Sequence, residues 1–312
     1  MSVLTAFYSA LRSTLAAPRL LLVLWLTLLL AAAPFGLLMQ HEIARDIGAS
    51  RVQEQLRQRM DMVWLSEFRD RGGSMRGAFE PVTTSRLDFL HNLDLLFSGR
   101  LFSQHKALVA AGVGYAVVWL LTLGGVIDRF ARGGGRFVLS QFLAACGRYF
   151  PRLAVVTAVS AVGYWVLYRL ARFGYGAIEA ANSDLTVEST LLTYYLLAAI
   201  PLLVLAALVM VIADYARIAA VTEERGGWSA LARGFRFVSR RPWSVFALAL
   251  IVALSGGLLV ALRTLLAPGV GEATTLGILG VFLVGQLFVA ARLVLRVTGV
   301  GAELALYRAL RR

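Results

Sequence analysis

The sequence predicts an all-α integral membrane protein in which six transmembrane helices form three hairpins of one plan. Two observations carry this prediction. Apolar residues make up 59% of the 312-residue chain, and six apolar runs have about the 20 residues that a helix needs to cross a bilayer. In addition, an amphipathic stretch that ends in proline precedes an apolar run three times, at residues 7–18, 142–151 and 231–242.

The six apolar runs follow one another in pairs. Continuous runs of this length are typical of membrane helices and not of amphipathic surface helices. Because the first run is long for a signal peptide, we interpret it as a retained anchor. Each pair starts and ends on the same side of the membrane, so the three hairpins should be parallel repeats. The predicted spans are Leu20–Leu38, Leu108–Ile127, Leu153–Leu170, Leu191–Ala213, Val245–Leu266 and Leu276–Leu295.

The excess of basic residues predicts the orientation of the chain. Lysine and arginine number 31 against 18 acidic residues, which gives a formal net charge of +13. With a cytoplasmic N-terminus, the whole excess falls on the four segments that face the cytoplasm, namely residues 1–19, 128–152, 214–241 and 292–312. Both termini are therefore predicted to be cytoplasmic. Because the charge is divided among short segments beside helices, it does not favour nucleic-acid binding.

The chain divides into three predicted regions. Residues 1–38 form an interfacial helix, capped at Ser2, and the first span. Residues 39–106 form a helical extracytoplasmic insertion, with a long amphipathic helix as far as the glycines at 72–73 and a second helix at 84–97. So few residues give only a small core, and we expect the insertion to pack on the outer membrane surface as a cap. Residues 107–312 form a five-span domain with cytoplasmic collars.

Two acids mark the ends of predicted spans on the cytoplasmic side. Asp128 is followed by Arg132, and Asp214 is followed by Arg217. A spacing of three or four residues places each acid and its arginine on the same helix face. We interpret these exit motifs as ties between the spans and the interfacial helices. The alternative is that they close a gate or contact a soluble partner.

Arginines beside the three prolines are candidate contacts for anionic phospholipid. A guanidinium group can hold a lipid phosphate through two N–H groups, and an anionic leaflet attracts such residues. A coding bias toward arginine is the competing explanation for their number. The predicted headgroup contacts are Arg19, Arg148, Arg152, Arg236, Arg240 and Arg241.

Other polar or unusual residues give weaker predictions. Pro201 interrupts the fourth span and predicts a kink or a hinge. The three histidines, His41, His91 and His105, lie in the predicted cap, where folding could bring them together as a metal or proton site. Their spacing matches no ligand motif, so neither a metal nor a cofactor is predicted. Cys146 is the only cysteine and cannot form an intrachain disulfide.

The interfacial-helix–proline–span unit at Pro18, Pro151 and Pro242, with its exits at Asp128 and Asp214, resembles a class of bacterial six-helix membrane proteins. That class includes the membrane domain of some glycerophosphoryl diester phosphodiesterases. The resemblance covers the membrane part of the chain and implies the same hairpin architecture in a bacterial inner membrane. The catalytic domain of those enzymes has no counterpart here, because its His-Arg-Gly start is absent. The resemblance therefore implies no active site.

These observations predict a non-enzymatic protein of the cytoplasmic membrane. The favoured function is a scaffold or transport-associated subunit that engages lipid and a membrane-protein partner or a second copy of itself. A transporter or permease with a path between hairpins is one alternative, and a membrane-embedded lipid enzyme is another. Few ionisable residues lie within the spans, where Gln286 is the main polar residue. This argues against ion-coupled transport. A polar cavity at mid-membrane depth would favour the permease, and converging polar groups at headgroup depth would favour the enzyme.

Overall fold

The computed structural model describes residues 2–48, 62–71, 106–133, 137–181, 188–266 and 275–311, and within them every regular element is an α-helix. The predicted break at 72–74, the second cap helix and two histidines, His91 and His105, lie outside the described residues. In chain order the helices are α1 (Val3–Leu15), α2 (Pro18–Gly48), α3 (Met62–Arg71), α4 (Lys106–Ala131), α5 (Leu139–Ala181), α6 (Glu188–Thr222), α7 (Gly227–Arg240), α8 (Pro242–Leu266) and α9 (Thr275–Leu310).

Six of these helices are long and apolar enough to cross a membrane, which confirms the predicted number of spans among the described residues. They are α2, α4, α5, α6, α8 and α9, and the mean hydropathy of their most apolar stretches runs from 1.5 in α5 to 3.0 in α6. The shortest span, within α4, has 23 residues and measures about 35 Å at 1.5 Å per residue. This length exceeds the roughly 30 Å of a hydrocarbon core.

At two of the three predicted proline junctions a short helix ends and a helix long enough to span a membrane begins. The hydroxyl group of Ser2 accepts a hydrogen bond from the Thr5 amide and caps α1. The next helix, α2, then begins at Pro18. In the same way α7 ends at Arg240 and α8 begins at Pro242. Proline suits the first turn of a helix, where its missing N–H group would have no partner within the helix.

The predicted junction at Pro151 is wrong, because α5 runs without a break from Leu139 to Ala181. Residues 142–151 are therefore the first turns of α5 and not a separate interfacial helix. Proline removes one backbone hydrogen bond, but the bonds on either side persist, and neighbouring helices commonly hold such a helix together in membrane proteins. Pro34 and Pro201 likewise lie inside the continuous helices α2 and α6.

The last span extends beyond its predicted end at Leu295 as one continuous helix. Helix α9 passes through Gly299 and Gly301 without interruption. A Cβ atom on Gly301 would lie 3.1 Å from the ring of Phe130 and 3.2 Å from the Cβ atom of Ala10. This glycine therefore permits close helix packing instead of ending the helix.

The first of two compact units comprises Met1–Ala16, Leu120–Val252 and Val297–Arg312. Within it, α6 packs against both α5 and α7. The rings of Tyr215, Phe237 and Tyr307 form its largest aromatic cluster among the described residues, with centroid separations of 4.8 to 6.2 Å. All three rings are buried. They join α6, α7 and the end of α9 into one core.

The second unit comprises Ala17–Trp119 and Ala253–Arg296. Many of its large apolar side chains are exposed, including Leu30, Leu37 and Leu265. Exposure of this kind along a long apolar helix is expected where the helix faces lipid. In α3, the rings of Trp64 and Phe68 stack with centroids 5.1 Å apart. Their spacing of four residues agrees with the amphipathic period that the sequence predicts for the cap.

Candidate functional site

Helix α7 has two faces of opposite character. Its buried residues are Gly227, Ala230, Gly234, Phe237 and Val238. The opposite side carries exposed rings and arginines. Two further exposed residues follow α7, one directly before α8 and one in its first turn. We call this set the α7 surface; its residues are Trp228, Phe235, Arg236, Arg240, Arg241 and Trp243.

The three arginines of the α7 surface are exposed, and no side-chain hydrogen bond or ion pair to another described residue engages them. Trp228 is 72% exposed and Trp243 is 87% exposed. Tryptophan and arginine are both favoured at the boundary between lipid tails and headgroups, because each combines an apolar body with a polar end. The arrangement is able to place rings among lipid tails and guanidinium groups at headgroup depth.

The other predicted headgroup contacts differ among themselves. Arg19 is exposed. Arg148 is paired with Glu224 at 2.8 Å, and both side chains are more than half exposed. The guanidinium group of Arg152 lies 5.9 Å from the ring centroid of Tyr149, and its Nη1 atom is buried. The structure therefore leaves Arg19, Arg236, Arg240 and Arg241 available to an external anion, whereas Arg148 is paired with Glu224 and Arg152 lies partly buried near Tyr149.

Both exit motifs form ion pairs that also reach a second helix. Arg132 is paired with Asp128 and donates a hydrogen bond of 2.9 Å to the side-chain oxygen of Gln141. Arg217 is paired with Asp214 at 2.6 Å, and its Nη2 atom lies 3.4 Å from the hydroxyl oxygen of Thr157. The first motif thus joins α4 to α5, and the second joins α6 to α5.

A carboxylate that sequence reasoning treated only as a loop charge is the centre of the largest polar cluster in the described residues. The side chain of Glu223, directly after α6, is only 4% exposed. It accepts hydrogen bonds from the Tyr307 hydroxyl and from Arg225 Nε, the latter at 2.5 Å. Arg233 and Arg311 each lie 3.4 Å away. We call these five residues the Glu223 cluster.

Electrostatics keep the Glu223 carboxyl group ionised. Burial raises its pKa, but the hydrogen bonds from Tyr307 and Arg225 and the charges of Arg233 and Arg311 outweigh that effect, so the pKa lies below the ordinary value. The next residue, Glu224, has a φ of 51°, a left-handed conformation that a non-glycine residue adopts at a cost of about 1–2 kcal/mol. The cluster holds this strained turn in place and joins it to α7 and α9.

A cavity of about 340 Å³ lies within the second unit, between α2, α4 and α9. Trp25 Nε1 donates a hydrogen bond of 3.2 Å to the side-chain oxygen of Gln286. Arg296 donates a hydrogen bond of 2.7 Å to the Tyr115 hydroxyl oxygen. We call this space the α9 cavity; its lining residues are Trp25, Leu28, Leu29, Ala32, Tyr115, Gln286, Val289, Arg292, Leu293 and Arg296.

Sequence reasoning found only part of the α9 cavity. It singled out Gln286 as the main polar residue within a span and counted Arg292 and Arg296 only as charges. Trp25 and Tyr115 carried no signal, because a single aromatic residue in an apolar run is ordinary. Hydropathy identifies a polar residue within a span, but it does not show which other helix that residue faces.

Three further predicted residues are not part of the α7 surface, the Glu223 cluster or the α9 cavity. Pro201 is exposed within continuous helical structure. Cys146 is buried, with its Sγ atom 3.9 Å from the carbonyl oxygen of Thr122. His41 is exposed. Among the described residues, no three His, Cys, Asp or Glu side chains come together as a metal site. Whether the three histidines converge is not tested, because His91 and His105 lie outside that part of the chain.

Over the residues that the structure describes, the helices and their hydropathy are those of the multi-pass, all-helical class of membrane proteins, since six helices are long and apolar enough to cross a bilayer. No protein-family model, curated protein or solved structure matches it.

Proposed function

We propose that this chain is a non-enzymatic scaffold or transport-associated subunit of the bacterial inner membrane that engages anionic phospholipid through the α7 surface. Both termini are cytoplasmic in this proposal. The α7 surface carries it, because three arginines without a side-chain partner in the described part of the chain stand beside exposed tryptophans, and the other face of α7 is packed against the protein. A membrane-protein partner or a second copy of the chain would then be held where the α7 surface contacts anionic lipid.

The expected strength of this engagement follows from the number of available charges. Each arginine near an anionic leaflet contributes about 1 kcal/mol, so Arg236, Arg240 and Arg241 together contribute about 3 kcal/mol. Arginine also holds a phosphate through two parallel N–H groups, which lysine cannot do. The preference for anionic over neutral lipid should therefore be strong at low salt and weaker at high salt.

The Glu223 cluster supports a structural and not a catalytic reading of the charged residues in the first unit. A general base needs an accessible carboxylate with a pKa near the working pH. The carboxylate of Glu223 is buried, its pKa is lowered, and two donors already occupy it. The cluster is better suited to joining α7 and α9 than to accepting a proton from a substrate.

A probe on α7 tests the proposal directly. Ser239 is exposed on α7, and Cys146 is buried, so a fluorophore can be attached to Ser239→Cys alone. We expect its emission to shift to shorter wavelength in nanodiscs of phosphatidylglycerol relative to phosphatidylcholine. Replacement of Arg236, Arg240 and Arg241 together by glutamine, which we call the triple α7 variant, should abolish that difference in emission.

The matched control removes the same charge elsewhere. Arg45, Arg172 and Arg263 are exposed and lie in α2, α5 and α8. Replacing these three with glutamine should leave the response of the α7 probe to anionic lipid unchanged. Equal probe spectra in the two lipids for the unmodified chain, or equal losses in both triple variants, would contradict the proposal.

A permease is the second candidate, and the α9 cavity favours it. The Trp25–Gln286 hydrogen bond places a polar pair within otherwise apolar helices, and such a pair can line a weakly polar path. Solute flux into proteoliposomes that Gln286→Leu abolishes would support this function. A lipid enzyme is the other alternative, and the Glu223 carboxylate does not favour it, because that group is buried and already hydrogen-bonded. Turnover of a phospholipid by the purified chain would establish this function. The relationship to the six-helix bacterial class also stays a proposal, supported by the helix order alone.

A further inference from the structure

We propose that the α9 cavity binds one phosphate-bearing lipid, with its phosphate on Arg292 and Arg296 and an acyl chain along the apolar wall. This inference concerns a single saturable site within the second unit. It goes beyond the α7 surface, which would contact many lipids without a fixed position and which uses different arginines.

The cationic end of the cavity is built from two arginines one helical turn apart. Arg292 and Arg296 are separated by four residues on α9, so they lie on the same face, with Cβ atoms about 6 Å apart. Arg296 is held in place, since it bonds the Tyr115 hydroxyl at 2.7 Å and its guanidinium carbon lies 3.7 Å from the ring centroid of Trp119. This arrangement fixes one charge before any ligand arrives.

Arg292 supplies the available charge. Among the described residues it has no hydrogen bond or ion pair, and no described carboxylate lines the cavity. Its side chain is exposed, so an anion at the polar end of the cavity can reach it. Two neighbouring guanidinium groups match the several oxygen atoms of a phosphate better than they match a neutral headgroup.

The rest of the lining is suited to the apolar part of an amphiphile. Leu28, Leu29, Val289 and Leu293 are aliphatic, and a volume of about 340 Å³ falls within the range of about 300–1,000 Å³ for ligand pockets. At the polar boundary, Gln286 accepts a hydrogen bond from Trp25. Its amide nitrogen, which has no partner among the described residues, can donate to an ester oxygen of the lipid.

Free phosphate shares the same headgroup chemistry, but it would leave the aliphatic wall without a partner. Native mass spectrometry of the full chain in detergent separates the two sources. The probes are a phosphatidylglycerol, a phosphatidylcholine with the same acyl chains, and inorganic phosphate. We expect one phosphatidylglycerol per chain, bound at least about tenfold more tightly than phosphatidylcholine and not displaced by millimolar phosphate.

Two variants address the two parts of the site. Arg292→Gln removes the unpartnered charge and should weaken phosphatidylglycerol binding by about tenfold or more, as expected for one charge-assisted hydrogen bond, while phosphatidylcholine binding is unchanged. Val289→Trp fills the cavity and keeps both arginines, so it should reduce the binding of both lipids. Val289 is 44% exposed, so the larger side chain is tolerated without disrupting a core.

The matched controls are Arg263→Gln, which removes an exposed arginine of α8, and the triple α7 variant. Both should retain the tightly bound phosphatidylglycerol. Equal affinity for the two lipids, displacement by millimolar phosphate, or an equal loss in Arg263→Gln would overturn the inference. If only the triple α7 variant lost the bound lipid, the α9 cavity would be excluded as the binding site and binding at the α7 surface would be supported. Failure of this inference is therefore distinguishable from failure of the proposed function.

Discussion

Gly234 of α7 lies so close to α6 that no side chain fits between the two helices. A Cβ atom at this position would lie 2.7 Å from the amide nitrogen of Ala216 and 2.7 Å from the carbonyl oxygen of Ile212. Non-bonded heavy atoms prefer about 3.5–4.0 Å, and backbone atoms cannot relieve the overlap by changing rotamer. Gly234→Ala should therefore move α7 away from α6 by about 1 Å, an estimate from the same preferred separation.

The size of the effect follows from two opposing contributions. Overpacking costs about 1–3 kcal/mol, and a backbone clash belongs at the upper end of that range. Alanine at a helix interior regains about 1 kcal/mol relative to glycine. The net result for Gly234→Ala is a loss of about 2 kcal/mol. At Gly147, in α5, an added Cβ atom would meet nothing within 4 Å, so Gly147→Ala should gain about 0.5–1 kcal/mol instead.

Thermal unfolding of the two purified variants in the same detergent tests whether their changes in stability have opposite signs. Gly234→Ala should unfold at a lower temperature than the unmodified chain, and Gly147→Ala should unfold at the same or a higher temperature. An unfolding temperature of Gly234→Ala at or above that of the unmodified chain would refute the close approach of α7 to α6.

Two further predictions concern pH and orientation. The folded pKa of Glu223 lies below its ordinary value of 4.5, so the stabilisation by its carboxylate is present above about pH 4.5 and is lost as the pH falls through the folded pKa. Glu223→Gln should therefore destabilise the chain by about 1–3 kcal/mol at pH 7. Thermal unfolding should show this difference from the unmodified chain shrinking in acid, and a pH-independent difference would contradict the prediction. For orientation, a membrane-impermeant maleimide added to intact cells should label His41→Cys and spare Ser239→Cys, and the reverse pattern would exclude cytoplasmic termini. The native Cys146 cannot report the side of the membrane, because burial protects it on either side.

The parts of the fold that sequence could predict are those set by neighbours along the chain. The length of an apolar run determines whether a helix can span, and six such runs correspond to six long helices. The same holds for the exit motifs, because Asp214 and Arg217 are three residues apart and a helix brings them together whatever else surrounds it.

Contacts between distant segments could not be predicted. The hydrogen bond between Tyr307 and Glu223 joins residues 84 positions apart, and the one between Trp25 and Gln286 joins residues 261 positions apart. Neither pair has a spacing that a periodic pattern could reveal. The error at Pro151 has the same origin, since the tripeptide Pro-Arg-Leu occurs at both Pro18 and Pro151, yet only the first begins a helix. The local sequence alone therefore does not determine whether a helix begins at a proline.

The two faces of α7 allow its structural and electrostatic roles to be separated. Gly234→Ala leaves every arginine in place but disturbs the contact of Phe237 with Tyr215, whose ring centroids lie 4.8 Å apart. It should lower the unfolding temperature in every lipid while the α7 surface retains its preference for phosphatidylglycerol. The triple arginine variant leaves the buried face intact, so it should lose that preference and keep its unfolding temperature in neutral lipid. If both variants changed stability and lipid preference together, the α7 surface would act only through folding and would not be a lipid contact in its own right.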